Sequence, residues 1–237
     1  MKYIIIIIVI LVVISYLFWL KLKKGKPGRI SGYEVERKTY DEALVVDVRW
    51  NKEYANAHAI NAVNIPIKVL RDGSDILDSY KDKDIILYCV VDITSRNTEK
   101  ILREKGFKNL YIGDGIRQYN YGKPKFKNVI MAEFKYLKST TNHILLNVGN
   151  EKLESIEIKS NIDNVVSDTS SISDEQLILV YSDNPSDSLE VSKILSDLGK
   201  KVINLIEPMD IKKYTFTPIN KKDFSPVPIE DQISECG

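Results

Sequence analysis

Two cysteines, two histidines and no excess of either charge are all that this 237-residue sequence offers to metal or polyanion chemistry. Cys89, Cys236, His58 and His143 form no zinc pattern, so no metal site is expected. The net charge of +1, from 34 Lys and Arg against 33 Asp and Glu, argues against nucleic acid as a main partner. No glycine-rich nucleotide loop precedes a helix, and no organic cofactor is called for.

Against that sparse background one segment is strongly apolar. Tyr3 to Leu20 (YIIIIIVILVVISYLFWL) holds eighteen uncharged residues, long enough to span a bilayer with slight mismatch. Tyr16, Phe18 and Trp19 gather at one end as an interfacial group. Bulky Leu17 to Leu20 offer no small-x-small cleavage site, so residues 1–20 are expected to be an uncleaved transmembrane helix rather than a signal peptide. Lys21, Lys23, Lys24, Lys26 and Arg29 follow the span, which by the positive-inside rule places the remainder in the cytoplasm with the membrane as a partner. Residues 21–31 then read as a short basic linker.

Chemistry centres on Cys89. Asp84 to Tyr88 is a short apolar run that reads as a buried strand, and Asn97 to Lys105 (NTEKILREK) reads as a helix stopped by Gly106. A cysteine in such a strand-loop-helix turn meets backbone N–H groups and the positive end of a helix, both of which stabilise a thiolate. The bland alternative is a small buried hydrophobe.

The surroundings favour the reactive reading. Upstream, LVVDVRWNKEYANAHAINAVNIP spans Leu44 to Pro66, and downstream ILYCVVDITSRNTEKILREKGFKNLYIGDGI runs from Ile86 to Ile116. The first resembles the rhodanese-like signature of an aliphatic strand ending in D-V-R, then E-Y, then H-I-x-G-A-x-N-I-P. The second is similar to that family's strand-Cys-loop-Ser-helix followed by G-F-x-N-V-Y and a glycine-rich turn, here Gly113-Asp114-Gly115. The resemblance implies that Cys89 takes a sulfane sulfur from a small donor as a persulfide and passes it to a thiol or cyanide acceptor. It further implies that Val90, Val91, Asp92, Ile93, Thr94 and Ser95 form the cradle, with Ser95 opening the helix. Asp47 and Arg49 would brace the loop, Glu53 would pair with Arg49, and His58 would be structural.

The usual loop of that family is C-R-x-G-x-R-S. Here Val90 and Thr94 stand at the arginine positions and Asp92 at the glycine. A carboxylate beside an anion pocket costs on the order of 1 kcal/mol and opposes thiolate formation, leaving Arg96 on the first helical turn as the compensating cation. Loss of Gly is expected to distort the cradle, since Gly tolerates φ > 0 at no steric cost. Poor use of thiosulfate follows. A phosphatase relative of the fold needs Arg six positions after Cys, where this chain has Ser95.

The second half repeats the pattern. His143 to Asn150 (HILLNVGN) has the register of LVVDVR, with Asn147 for Asp47 and Gly149 for Arg49, and Leu177 to Ser182 parallels Ile85 to Cys89. Ser188 and Gly199 lie six and seventeen residues after Ser182, as Ser95 and Gly106 do after Cys89. Val191, Ile194, Leu195 and Leu198 give a buried helical stripe. A serine cannot hold a persulfide, so Ser182 marks a degenerate site. The expected fold is α/β: two rhodanese-like domains, residues 32–123 and 124–214, each a mainly parallel sheet flanked by helices, then an extended tail, 215–237, in which Cys236 is an incidental thiol. The expected function is a membrane-anchored sulfurtransferase using Cys89. The alternative is a degenerate pair serving as a membrane-tethered scaffold for a protein partner that the sequence does not identify.

Overall fold

The computed structural model describes residues 11–15, 28–154 and 156–208. The chain alternates strand and helix throughout. The first half runs β1 (Arg29–Ile30), α1 (Gly32–Arg37), β2 (Leu44–Asp47), α2 (Asn51–Asn56), β3 (Ala62–Asn64), α3 (Ile67–Arg71), β4 (Ile85–Tyr88), α4 (Ile93–Glu104) and β5 (Leu110–Gly113). The second half runs β6 (Lys127–Val129), α5 (Met131–Thr140), β7 (His143–Asn147), β8 (Ile158–Lys159), α6 (Val165–Asp168), β9 (Leu177–Tyr181), α7 (Pro185–Asp197) and β10 (Lys201–Leu205).

The strands are apolar on both faces, as a sheet covered on both sides requires. In β4, Ile85 and Leu87 pack with Leu102 of α4, while Ile86 and Tyr88 pack on the opposite face with Val35 of α1 and Tyr54 of α2. In β9, Ile178 and Val180 meet Val191 and Leu195 of α7, while Leu179 and Tyr181 meet Phe134 and Leu137 of α5. Helices α4 and α7 end on glycines of positive φ, Gly106 at 91° and Gly199 at 88°, the left-handed turn that a chain needs to leave a helix sharply.

All strand pairings are parallel, in the order β1-β5-β4-β2-β3-β6-β10-β9-β7-β8. Adding five to each label of the first half gives the order of the second. The two halves, however, do not form separate sheets. They are joined edge to edge where Val63 of β3 pairs with Asn128 of β6, and this corrects the expectation of one sheet per domain. Side chains stitch the seam: Asn128 Nδ2 donates to the carbonyls of Ile60 (2.8 Å) and Ala62 (3.0 Å), and Asn204 Nδ2 donates to Asn128 Oδ1 at 2.8 Å. The Ala62 carbonyl also accepts from the Tyr54 hydroxyl at 2.8 Å, so two side chains from opposite sides of the seam share one acceptor.

The expected transmembrane helix is also corrected. Residues 11–15 are helical, but among the described residues no helix is long and apolar enough to cross a membrane. The rest of the apolar run, the linker before residue 28 and the tail from residue 209 lie outside the described residues.

Candidate active site

β4 ends at Tyr88, so the next residue, Cys89, enters the loop at the carboxyl edge of the sheet. Parallel α/β sheets bind ligands at that edge. Cys89 is 2% exposed and packs within the core beneath α4. Its Sγ donates to Ser95 Oγ at 3.6 Å, and Ser95 Oγ donates to the Asp92 carbonyl at 3.1 Å. Ser95 does not open the helix, as the sequence suggested. The helix starts earlier, at Ile93, with Asp92 as N-cap, which places Ser95 on the first turn directly over the sulfur.

The loop is pinned from one side. The carbonyls of Cys89 and Val90 accept from the N–H groups of Ile116 and Arg117, both at 3.0 Å. Every described peptide bond is trans, so the N–H groups of Val90 and Val91 point away from that turn. Neither of these two, nor the N–H groups of Ile93, Thr94 and Ser95, has an acceptor among the described residues. Five backbone donors following one buried thiol are therefore open to a ligand, an arrangement that suits negative charge. Gly115 makes the pinning possible: a Cβ there would stand 2.4 Å from the Val90 carbonyl oxygen and 2.7 Å from that of Cys89.

Asp92 fits the loop without the strain expected from losing glycine. Its φ of −169° is extended backbone that any residue adopts. Its carboxylate is also neutralised. Arg96 Nε lies 3.2 Å from Asp92 Oδ2, so Arg96 faces the loop, and Arg29 Nη1 approaches the same oxygen at 3.4 Å. Arg29 Nε reaches Asp114 Oδ1 at 2.8 Å. Sequence reasoning missed Arg29 because it lies sixty residues before Cys89 in a run of basic residues. The signal that could have found it is the strand Arg29–Ile30, which pairs with β5 beside the loop. No arginine replaces Val90 or Thr94 inside the loop, and Ile93 turns an apolar side chain, 68% exposed, to solvent.

Asp47 and Arg49 support the loop from the next strand. The Arg49 guanidinium grips the Asp47 carboxylate with Nη2–Oδ2 at 2.6 Å and also donates to the Ala57 carbonyl at 2.7 Å. Burial pushes the Asp47 carboxyl up, against the pull of that guanidinium. Glu53 does not pair with Arg49 among the described residues; it accepts from the Trp50 N–H at 3.2 Å and so caps α2. Asn64 Nδ2 ties β3 to the carbonyls of Asp47 and Arg49, at 3.0 and 2.8 Å. His58 is buried, stacks on Tyr54 with ring centroids 3.7 Å apart, and is held neutral by burial, which lowers it to about 4.

The loop of the second half has the same frame and a different interior. Asn147 Oδ1 accepts from the Gly149 N–H at 2.8 Å, as Asp47 Oδ1 does from Arg49 at 3.0 Å, and the Tyr181 and Tyr88 hydroxyls each accept a loop N–H at 3.0 Å. Ser182, however, spends its oxygen locally by accepting from the Asn184 N–H at 3.0 Å. Asn184 Oδ1 accepts from Ser186 and its carbonyl from Asp187, while Pro185 has no N–H to give. Gly149 leaves room for Asp183, whose Oδ1 would lie 1.8 Å from any Cβ at that position. The second loop therefore fills itself. A polar cavity of about 430 Å³ opens beside it, lined by Asn150, Lys159, Ser160 and Asp187 among others.

Residues 33–117 match the family model described as Rhodanese-like domain. A tRNA uridine(34) hydroxylase of Erwinia tasmaniensis is 37% identical over 83 residues, 33% of this chain and 24% of that protein. The same-named protein of Buchnera aphidicola is 35% identical over 82 residues, 32% of this chain and 26% of that one. The chain thus spans about a quarter of the curated relatives it matches. The solution structure of protein hp1203 from Helicobacter pylori is 30% identical, covers 37% of this chain and 76% of that one, and superposes with a TM-score of 0.30. The buried cysteine at a strand end and its pinned loop of open donors thus lie within the stretch, residues 33–117, that makes up a rhodanese-like domain.

Proposed function

We propose that this protein moves sulfane sulfur through a persulfide on Cys89. The observation that carries the reading is the set of five open N–H groups on Val90, Val91, Ile93, Thr94 and Ser95 around one buried thiol. In the first step the Cys89 thiolate attacks the outer sulfur of the donor. The donor's S–S bond breaks, a new S–S bond forms on Cys89, and the leaving group departs with the electron pair as sulfite or a thiolate. The terminal sulfur then bears the negative charge, and the cradle supplies preorganised donors for it. A thiol or cyanide acceptor next attacks that sulfur and regenerates the Cys89 thiolate. Electrons balance without an external oxidant, and no cofactor enters.

Thiosulfate fits this site less well than a persulfide does. Arg29 and Arg96 are engaged by carboxylates, and the side chains of Val90, Ile93 and Thr94 carry no charge to meet a dianion. Residues 124–208 serve as a degenerate copy that packs against the first without chemistry of its own, a reading supported by the repeated strand order and the self-filled Ser182 loop. The hydroxylase activity named for the curated relatives is not carried over, because the match covers about a quarter of their length.

The test is intact-mass analysis of a Cys236→Ser protein after exposure to thiosulfate and to a hydropersulfide. Uptake of one sulfur atom is expected, lost in Cys89→Ser and retained in Ser182→Ala, with slower loading from thiosulfate. Absence of uptake from every donor would overturn the reading.

A further inference from the structure

Asp92 is the N-cap of α4, and an N-cap aspartate ordinarily accepts from the second or third N–H of its helix. Here those groups belong to Thr94 and Ser95, two members of the open cradle. A carboxylate in its preferred place would therefore occupy the anion site with the protein's own charge. The second loop shows that outcome, since the N-cap Asn184 folds its side chain onto the Ser186 N–H at 3.2 Å. Asp92 makes no such bond. Its carboxylate is turned outward to Arg96 at 3.2 Å and to Arg29 at 3.4 Å.

Of these two arginines, Arg96 is an ordinary neighbour one turn along the same helix. Arg29 comes from a different part of the chain and is fixed in place at two points, the second of them itself anchored. Its backbone pairs with Ile112 in β5, its Nε is held by Asp114 Oδ1, and Asp114 Oδ2 in turn accepts from the Gly32 N–H at 3.1 Å. Both ends of the Arg29–Asp92 contact are about one-fifth exposed, at 18% and 20%, which keeps screening by solvent modest.

We infer that Arg29 is a positioning residue that holds the Asp92 carboxylate out of the cradle and so keeps the Cys89 loop open to anions. The role extends the sulfurtransferase reading, since an emptied cradle is what a persulfide needs, but it can be tested without sulfur chemistry. In a Cys236→Ser background, Cys89 is alkylated with iodoacetate, an anion, and with iodoacetamide, its neutral analogue. Weakening the outward hold on Asp92 by Arg29→Ala is expected to lower the iodoacetate-to-iodoacetamide rate ratio about fivefold, the size of a contact of this kind. Arg29→Ala with Asp92→Ala is expected to restore the ratio, because alanine cannot cap. Arg29→Ala with Asp92→Asn is expected not to restore it, because asparagine caps as well as aspartate. That contrast separates capping from simple loss of charge.

If Arg29→Ala fails to fold, Arg29→Lys against Arg29→Gln gives the same comparison, with only Lys keeping the ratio. An unchanged ratio in Arg29→Ala, or equal rescue by Asp92→Ala and Asp92→Asn, would overturn the inference. A protein that shows the alkylation pattern and yet takes sulfur from neither thiosulfate nor a hydropersulfide would sink the sulfurtransferase reading and leave the role of Arg29 standing.

Discussion

Arg49 holds Asp47 through backbone and side chain together: its N–H meets Asp47 Oδ1 at 3.0 Å and its Nη2 meets Oδ2 at 2.6 Å. Both residues are buried, so neither charge has water to fall back on. Removing one partner of a buried pair leaves the other uncompensated, which typically costs about 3–5 kcal/mol. Arg49→Ala is therefore expected to lower the denaturant midpoint sharply. Adding Asp47→Asn to it should recover part of the loss, since the second half lives with the neutral Asn147 opposite Gly149. A double variant no more stable than Arg49→Ala alone would count against this account.

Gly115→Ala isolates the geometry of the loop from its chemistry. The new methyl would collide with two backbone oxygens, which cannot rotate away as a side chain can. The loop must shift, and the hydrogen bonds from Ile116 and Arg117 that orient it must lengthen. Sulfur loading of Cys89 is expected to fall by about tenfold or more, as it does when donors aimed at developing charge are misplaced. Thermal stability should fall as well, but the Cys89 chemistry should remain impaired at temperatures where the variant is fully folded by circular dichroism.

Two buried titratable groups act in opposite directions, with windows that overlap between pH 4.5 and 6.5, so their effects offset there and stability is expected to fall on either side. Burial lowers His58 to about 4 from 6.5, so the unfolded chain gains a proton through that interval while the folded one does not. Stability is therefore lost as pH falls from 6.5 toward 4, by up to about 3 kcal/mol. Burial raises Glu207 to about 8 from 4.5, with the N–H of Met131 pulling the other way. The folded carboxyl keeps its proton where the unfolded one releases it, and stability is lost as pH rises from 4.5 toward 8. In chemical denaturation across both windows, Glu207→Gln should flatten the alkaline limb and His58→Asn the acid limb. Limbs that stay as steep as in the parent protein would assign them to other groups.

Ser182→Ala should cost about 1 kcal/mol, because the Asn184 N–H loses its acceptor. It should leave sulfur loading on Cys89 untouched. Loss of loading in this variant would mean that the second loop takes part in the chemistry.

Much of this architecture was legible because it rests on local pattern. The apolar runs at Leu44, Ile85 and Leu177 became β2, β4 and β9, and the glycines that stop α4 and α7 stand where the sequence placed them. What escaped depends on contacts between distant parts of the chain. Helix α4 begins at Ile93 rather than Asn97, because a loop pinned by Ile116 and Arg117 lets the first turn form over residues with no strong helical preference. Leu198, read as part of the buried stripe of α7, lies past the end of that helix and is half exposed, while Ser188 and Ser192 are fully buried. The two serines sit inside because the helix packs closely on the sheet and Ser188 Oγ finds the Leu205 carbonyl at 3.2 Å. Arg29 escaped for the same reason: no spacing rule connects residue 29 to residue 92. The join between β3 and β6 left no trace in the hydrophobic pattern at all.

That join has a consequence for solubility. An open sheet offers its unpaired margins to any passing strand, and each half taken alone would have two such margins. In the full chain, β3 and β6 cover each other, and the outermost strands are β1 and β8, two residues apiece and too brief to template much. Cutting the chain near residue 123 would uncover the backbone of Ala62–Asn64 next to the loop-bearing half, and such a fragment should self-associate more readily than the longer chain. The half whose loop carries a serine thus guards the flank of the half whose loop carries a cysteine.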